Sequence, residues 1–520
     1  MSPISTLFTD NTILIDVKPY AIPVLIAILS ILLYRFKRSP HPPLPPGLRG
    51  LPIVGNLPFL DPDLHTYFTN HAQRHGPIFK LYLGSKLAVV VNSPALAREI
   101  LKDQDINFSN HDAPLTGRAL TYGGLDLVWL PYGDEWRMLR KVCVLKLLNR
   151  KTLDSFYELR RKEMRERTRY LYQKGQEESP VNVGDQIFLT VINLTINMLW
   201  GGSVKAEEKE SVGIKFKGII SETIRLLGVA NVSDFFPLLA RFDLQGLVKK
   251  MHVCAREVDA ILDRAIEQMQ ELRRKDGDDG ECKDFLQHLM KLKEQEADSE
   301  VPVTLNHVKA VLVDMVVGGT DTTTSTIEFA MAELISNPEL MKRAQQELDN
   351  VVGKDNIVEE LHITKLPYVV AIMKETLRLY PTIPLLVPRL PTETSVVGGY
   401  TIPKNTKTFI NVWSIQRDPQ VWDYPTEFRP ERFLDNKSCD FTGTDYRFLP
   451  FGSGRRICVG VALAERMILY TLATLLHSFD WKIPEGQVLD LEKKFGIVLK
   501  LKTPLVALPV PRLSNSNLYL

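Results

Sequence analysis

Five cysteines stand in the 520 residues, at positions 143, 254, 282, 439 and 458, an odd number with no Cys-x-x-Cys pair. That count argues against a disulfide framework and a zinc site, and a small buried hydrophobe is the plain reading for four of them. Cys458 differs. It sits in Phe451-Gly-Ser-Gly-Arg-Arg-Ile-Cys-Val-Gly460, directly before a helix-like run that starts near Val461. The positive end of a helix favours a neighbouring sulfur as the thiolate, the form that binds metal. A second grouping, Gly318-Gly-Thr-Asp-Thr-Thr323, puts an acid beside hydroxyls in the middle of a helix-like stretch. Two interior glycines cost a helix roughly 1 kcal/mol each against alanine, so they need a reason. Close packing on another helix is one; a thin, distorted stretch that leaves room for a bound group is the other. Glu375 and Arg378, in Lys374-Glu-Thr-Leu-Arg378, share a helix face and alone would read as an ordinary surface ion pair. Trp136 and Arg140, in Trp136-Arg-Met-Leu-Arg140, are one turn apart and can present two donors on one side.

The elements that must position these groups read mainly as helices. Residues 152–174, 251–274, 304–336 and 461–477 carry apolar side chains at three- and four-residue spacing, and a further helix runs from about Pro367 to a stop at Tyr380-Pro381. Short strand-like runs at 79–83, 88–91 and 407–410 add small sheets, and the polar stretch 273–280 reads as a surface loop. Near the start, the apolar run Ala21 to Tyr34 is followed at once by Arg35, Lys37 and Arg38, while Asp10 and Asp16 precede it. Those flanks suit a retained single-pass anchor with the body on the cytosolic side, not a cleaved signal peptide. At about 17 residues from Tyr20 to Phe36 the run is at the short end of what spans a bilayer. Pro40-His-Pro-Pro-Leu-Pro-Pro-Gly47 follows, and prolines at this density forbid helix and favour a stiff extended spacer. The division is therefore 1–38 luminal N-terminus and anchor, 39–50 proline-rich hinge and 51–520 catalytic body. A formal charge of +2, with basic residues scattered among acids, excludes the concentrated cationic face of a nucleic-acid protein.

Phe451 to Gly460 fits F-x-x-G-x-R-x-C-x-G at every fixed position, and on it the chain resembles the cytochrome P450 family of haem-thiolate monooxygenases, of the plant microsomal type. Matches run in family order from Pro43 to about Leu508. The resemblance implies one mainly α fold, a helical triangular body with small β-sheets, plus an N-terminal transmembrane helix in the endoplasmic reticulum membrane. It implies that Cys458 is the axial ligand of haem iron, that Phe451 shields the sulfur, and that Gly454 and Gly460 let backbone approach the porphyrin. Trp136, Arg140, Arg389 and Arg456 are implied partners of the haem propionates. Glu375 and Arg378, with Arg432 of Phe428-Arg-Pro-Glu-Arg-Phe433, would form a buried structural network. Asp321 and Thr322 would be the acid–alcohol pair that delivers protons. Oxygen is the implied co-substrate, with electrons from NADPH through NADPH–cytochrome P450 reductase.

Stretches such as Asp234-Phe-Phe-Pro and Asp243-Leu-Gln-Gly resemble plant enzymes that hydroxylate sesquiterpenes such as cadinene. The expected substrate is accordingly a small apolar terpenoid, walled by Leu125, Leu127, Val317, Ile383, Leu385, Leu386, Phe495, Ile497 and Val498. Core packing explains each of these equally well. A flavonoid is the chief alternative, with Arg118, Tyr122 and Ser233 as polar partners. Haem-thiolate isomerases and lyases lack the acid–alcohol pair, and a haem-binding sensor would need no proton machinery; Asp321 and Thr322 speak against both.

Overall fold

Thr304 starts the helix that organises the fold. Its hydroxyl accepts the His307 N–H and His307 Nδ1 accepts the Thr304 N–H, both at 3.2 Å, a reciprocal cap ahead of Leu305–Ser336. Its 32 residues span roughly 48 Å at 1.5 Å each. Because it is apolar nearly all round it is buried, packed against Val183–Trp200, Val461–Ser478 and Pro367–Leu379. The computed structural model describes residues 42–520 apart from 202–205, 277–281, 283, 296–299 and 435–438. The anchor expected within 1–38 lies outside the described residues, among which no helix is long and apolar enough to cross a membrane.

Most expected helices are present with shifted ends. The run 152–174 is two helices, Arg150–Ser155 and Tyr157–Gln176, parted at Phe156. Leu247–Asp276 extends through the start of the expected 273–280 loop, so charge there marks a solvated helix end. Val183–Trp200, which was not among the expected helices, is buried except for a narrow stripe of Asp185, Gln186, Leu189, Asn193 and Asn197 at three- and four-residue spacing.

The main sheet has five strands in the order Ile78–Leu83, Lys86–Val91, Lys407–Ile410, Arg389–Leu390 and Asn110–His111. The last two are too short to show an alternating pattern, yet their antiparallel register sets His111 opposite Arg389. The proline-rich segment is extended as expected but strapped down. The Pro46 carbonyl accepts Lys80 N–H at 2.8 Å, the Pro45 carbonyl accepts Lys80 Nζ at 2.8 Å, and the Pro43 carbonyl accepts Thr401 N–H at 3.0 Å.

Arg378 uses all five of its donors. Nε and Nη2 fork onto Glu375 at 2.7 and 2.8 Å, Nη1 reaches the Gln416 and Pro425 carbonyls at 2.8 and 2.7 Å, and Nη2 reaches the Glu427 carbonyl at 3.1 Å. Glu375 also accepts Arg429 N–H at 2.8 Å and Arg432 Nε at 3.0 Å. Both Glu375 and Arg378 are fully buried, so the pair is a fastening between the Pro367–Leu379 helix and the 416–432 segment. Gln416, which no spacing in the sequence marks, extends it: its amide donates to the Leu377 and Arg378 carbonyls, and its Oε1 accepts Leu449 N–H at 2.9 Å.

Arg378→Ala takes the fork from the buried Glu375 carboxylate, leaving only Arg432 and the Arg429 amide on Oε1, and strips the Gln416, Pro425 and Glu427 carbonyls of their donor; it is expected to cost about 3–5 kcal/mol in denaturant unfolding. Arg378→Lys is expected to rescue little of this, since an ammonium cannot make the fork. Arg137→Ala, at an exposed pair with Asp134, should stay within about 0.5 kcal/mol of the native chain.

Candidate active site

Residues 451–460 form a loop closed by their own backbone, with Cys458 N–H donating to the Phe451 carbonyl at 3.0 Å. The Phe451 ring stands edge-on to Phe441, centroids 5.2 Å apart. Val461–Ser478 begins immediately after, and Gly460 N–H donates to Cys458 Sγ at 3.3 Å. Cys458 lies deep in the fold, yet its sulfur side opens onto free space and the residue is exposed. Burial pushes its thiol pKa up, while the Gly460 amide and the Arg140 guanidinium oppose that rise. Gly454 has a requirement within the chain as well. Its φ is +71° and a Cβ would stand 2.3 Å from the Leu101 carbonyl oxygen, so the 101–105 segment packs directly against it.

Arg456 leaves the loop and donates to the carbonyls of Ser109 at 2.7 Å, Leu127 at 2.9 Å and Leu130 at 2.5 Å. Arg389 is buried; Nη2 approaches the Ser453 carbonyl at 3.4 Å, while Nε and Nη1 have no partner. Arg140 and Arg456 lie over the Trp136 ring, 5.4 and 4.4 Å from its centroid. The expectation of two free donors on that helical turn needs correcting here. Trp136 Nε1 donates to the Leu127 carbonyl at 3.1 Å, so the indole is a platform and Arg140 alone is left to reach outward. Burial is the largest influence on Arg389 and Arg456, pushing them down to about 10 and about 9, with Arg140 adding to both. Both stay charged at neutral pH.

His111 belongs to this cluster, although no motif in the sequence marked it. Nδ1 meets the Val128 carbonyl at 2.7 Å and Nε2 has no partner. Burial, then the charges of Arg389 and Arg456, hold its pKa well below the ordinary value, so the ring is neutral. A neutral ring facing a carbonyl with Nδ1 carries its proton there.

On the long helix, a Cβ on Gly318 or Gly319 would meet nothing within 4 Å. Close packing on another helix is therefore not their reason; open space is. The helix is nonetheless α throughout, without the expected distortion, and Thr322 Oγ1 donates to the Gly318 carbonyl at 2.7 Å. Asp321, about 100° round the helix from Thr322, is buried and ion-paired with Lys500. Lys500 sits on the short strand Lys500–Leu501 with its side chain 44% exposed, and nothing in its neighbourhood along the chain marks the pairing.

The sequence profile of the cytochrome P450 family matches residues 45–508. The chain belongs to the cytochrome P450 family. It is 41% identical to a flavonoid 3'-monooxygenase of Crocosmia x crocosmiiflora over 492 residues, 93% of this chain and 96% of that one. The flavonoid 3'-monooxygenase of Petunia hybrida is 40% identical over 94% of this chain and 96% of its own. A 3,9-dihydroxypterocarpan 6A-monooxygenase of Glycine max is 38% identical, covering 94% and 98%. A zebrafish cytochrome P450 solved with progesterone superposes with a TM-score of 0.74 at 26% identity, covering 86% of this chain and 99% of that one.

A P450 implies haem iron with a thiolate ligand, and the residues fit such a group. An open-sided sulfur at a helix start, orphaned donors on a buried Arg389 and free space beside Gly318 and Gly319 suit a flat group carrying carboxylates.

The pocket expectation fares differently. Leu125, Leu127, Val317 and Ile497 pack into the main core, whereas Leu385 belongs to a core under the sheet, Leu386 to the one beside Gly452, and Phe495 lies 5.0 Å from His65. Ile383 is half-buried and Val498 buried. A surface cleft of about 680 Å³ is lined by Leu115, Ala240, Arg241, Asp243, Val248, Lys249, His252 and Arg256, none of the nine. The sesquiterpene expectation is also overturned: the near-full-length relatives are named for flavonoids and a pterocarpan, so the flavonoid alternative stands in its place.

Cys458→His is expected to lose the strongly red-shifted carbon monoxide band of a thiolate-ligated haem, read in the absorption spectrum of the reduced protein. A variant that keeps the band would remove Cys458 as the ligand.

Proposed function

We propose that this chain hydroxylates a flavonoid or a closely related polyphenol, using O2 and electrons drawn from NADPH through a P450 reductase. The observation that carries the reading is the agreement of relatives at 38–41% identity over 93–94% of the chain, all named as monooxygenases of such rings. Haem bound at Cys458 would supply the activation of O2, one atom entering the substrate and the other leaving as water.

The chain's own residues do the rest. Cys458 provides the sulfur, Gly460 N–H and Arg140 favour its charged form, and Arg140, Arg389 and Arg456 receive the carboxylates of the bound group, with His111 beside them. Thr322 presents a hydroxyl next to the space left by Gly318 and Gly319. Asp321, held by the half-exposed Lys500, links that interior to the surface, the route by which protons enter. Of the three polar groups a polyphenol could use, Tyr122 donates to Asp259 at 2.7 Å and Arg118 to the Ala113 carbonyl at 3.4 Å, while Ser233 is buried.

The body is held at the cytosolic face of the endoplasmic reticulum by the anchor within 1–38. Supporting this is apolar surface on two adjacent segments, with Ile53 78% and Leu238 88% exposed, and Gly84 of the neighbouring turn against Phe235.

A spectral titration tests the substrate. Flavanones and flavonols are expected to displace water from the haem iron and give a high-spin shift, with hydroxylated product once reductase and NADPH are added. A shift and product with pterocarpans or terpenes alone would overturn the flavonoid assignment. Thr322→Ala is expected to keep haem and substrate binding while product per NADPH falls on the order of tenfold or more, hydrogen peroxide making up the difference. Unchanged coupling would take Thr322 out of the proton route.

A further inference from the structure

The stretch 126–130 gives its backbone to the site. Its Leu127 carbonyl accepts Trp136 Nε1 and Arg456 Nη1, its Val128 carbonyl faces His111 Nδ1, and its Leu130 carbonyl accepts Arg456 Nη2. In the other direction Leu127 N–H donates to Asp314 Oδ2 at 2.8 Å, on the long helix about two turns before Thr322. Trp129 N–H donates to Asp126 Oδ1 at 3.1 Å, and the side chains of Asp126 and Asp314 are hydrogen-bonded to each other. Two carboxylates cannot make that bond; one must carry a proton.

We propose that Asp126 and Asp314 share one proton and act as a positioning clamp, which locks the 126–130 loop, and through it Arg456 and His111, onto the helix bearing Thr322. The proposal rests on the reading of Cys458, Arg456 and Thr322 as one haem site. Asp314 holds the proton and Asp126 receives it as carboxylate, for reasons of surroundings. Asp126 is 1% exposed, with the Trp129 amide bonded to it and Arg456 acting on it from the cysteine loop. Burial still raises its pKa, to about 6. Asp314 is held well above the ordinary value by burial and then by the charge of Asp126. The group facing Asp314 from the 143–147 turn is Cys143, a thiol that burial and Asp314 both keep protonated, with Arg140 beside it. At neutral pH the pair therefore carries a single negative charge, turned toward Arg456.

The sign of the pH effect follows. A carboxyl whose folded pKa is raised keeps its contribution below that pKa and loses it as pH rises through it. Above it two carboxylates repel, the Leu127 amide loses its partner and the loop loosens its hold on Arg456. Below about 6 Asp126 also gains a proton and its attraction to Arg456 weakens.

The test needs no substrate. Full-length holoenzyme is mixed with excess apomyoglobin as haem acceptor, and haem loss is followed from about pH 6 to about pH 9 for the native chain, Asp314→Asn and Asp314→Ala. In the native chain loss is expected to speed up with rising pH. Asp314→Asn should flatten that profile and stay near the slow limit, because its amide donates to Asp126 and accepts from Leu127 at every pH. Asp314→Ala should lose haem on the order of tenfold faster throughout. If Asp314→Asn keeps the native pH profile, or Asp314→Ala retains haem like the native chain, the clamp is wrong. Should the alanine variant fail to fold, the native-versus-amide comparison decides alone. A native chain without the thiolate-type carbon monoxide band would instead sink the site reading itself, an outcome separate from either.

Discussion

Three guanidinium groups, Arg140, Arg389 and Arg456, are withdrawn from water around one space, and most of the site can be understood as the response to that. Removing a charge from water costs several kcal/mol even after relaxation, and like charges together make it worse. The pKa values of Arg389 and Arg456 are accordingly pushed down by burial, with Arg140 contributing to both. The compensation on offer within the chain is largely dipolar. Carbonyls of Ser109, Leu127 and Leu130 crown Arg456, the Trp136 ring lies under two of the three, and His111 gives up its charge. Arg389 keeps two donors without partners. The charges of Asp105 and Asp126 offset this only in part, and the carboxylates of a haem would bring more. Arg140 has a second effect, favouring the thiolate of Cys458, so one cation serves both edges of the bound group.

Such a cluster holds its shape only if the loops that supply it cannot drift. The cysteine loop is fastened from behind by Glu375 and Arg378, through Gln416 to Leu449 N–H. The carbonyl-bearing loop is fastened to the long helix through Asp314, and Arg389 is fixed by the sheet, opposite His111. In the Glu375–Arg378 pair the five guanidinium donors and the carboxylate oxygens are all met at short range. The Asp126–Asp314 pair has no guanidinium between its members, and the cheaper state is to keep a proton.

How much of this could be read beforehand depended on distance along the chain. The cysteine loop, the helix after it, the long helix with its glycine pair and the Lys374–Arg378 turn are local patterns, and each lies close to where the sequence put it. His111, Gln416, Asp314 and Lys500 act through partners far away in sequence, and nothing in their own neighbourhood sets them apart. Arg389 was found by resemblance, but the two-residue strands that place it beside His111 are too short for any periodicity. Gly454 has a further requirement that its motif does not reveal, because the contact it avoids, with the Leu101 carbonyl, is itself long-range. Val183–Trp200 carries only a weak signal, because its polar stripe of Asp185, Gln186, Asn193 and Asn197 is narrow and interrupted by Leu189.

The substrate shows the same limit in a different form. The terpene expectation joins a resemblance carried by short stretches such as 234–237 to a set of apolar residues, yet Leu125 and Leu127 lie in the main core and Leu385 lies under the sheet, where packing alone accounts for them. An apolar wall accepts an aromatic ring as readily as a hydrocarbon cage. Discrimination comes instead from a few polar placements, because a buried donor or acceptor left unmet costs roughly 1–3 kcal/mol, enough to turn a guest away. Those placements are set by networks that bind groups already present. Tyr122, a natural partner for a phenol when seen in the sequence, is held by Asp259, which also holds Lys309. The carbonyls of Leu127, Val128 and Leu130 are taken by Arg456 and His111. Which polar atoms remain for a guest is therefore a property of the whole folded chain, and similarity along nearly the whole chain carried the information that an inventory of apolar side chains did not.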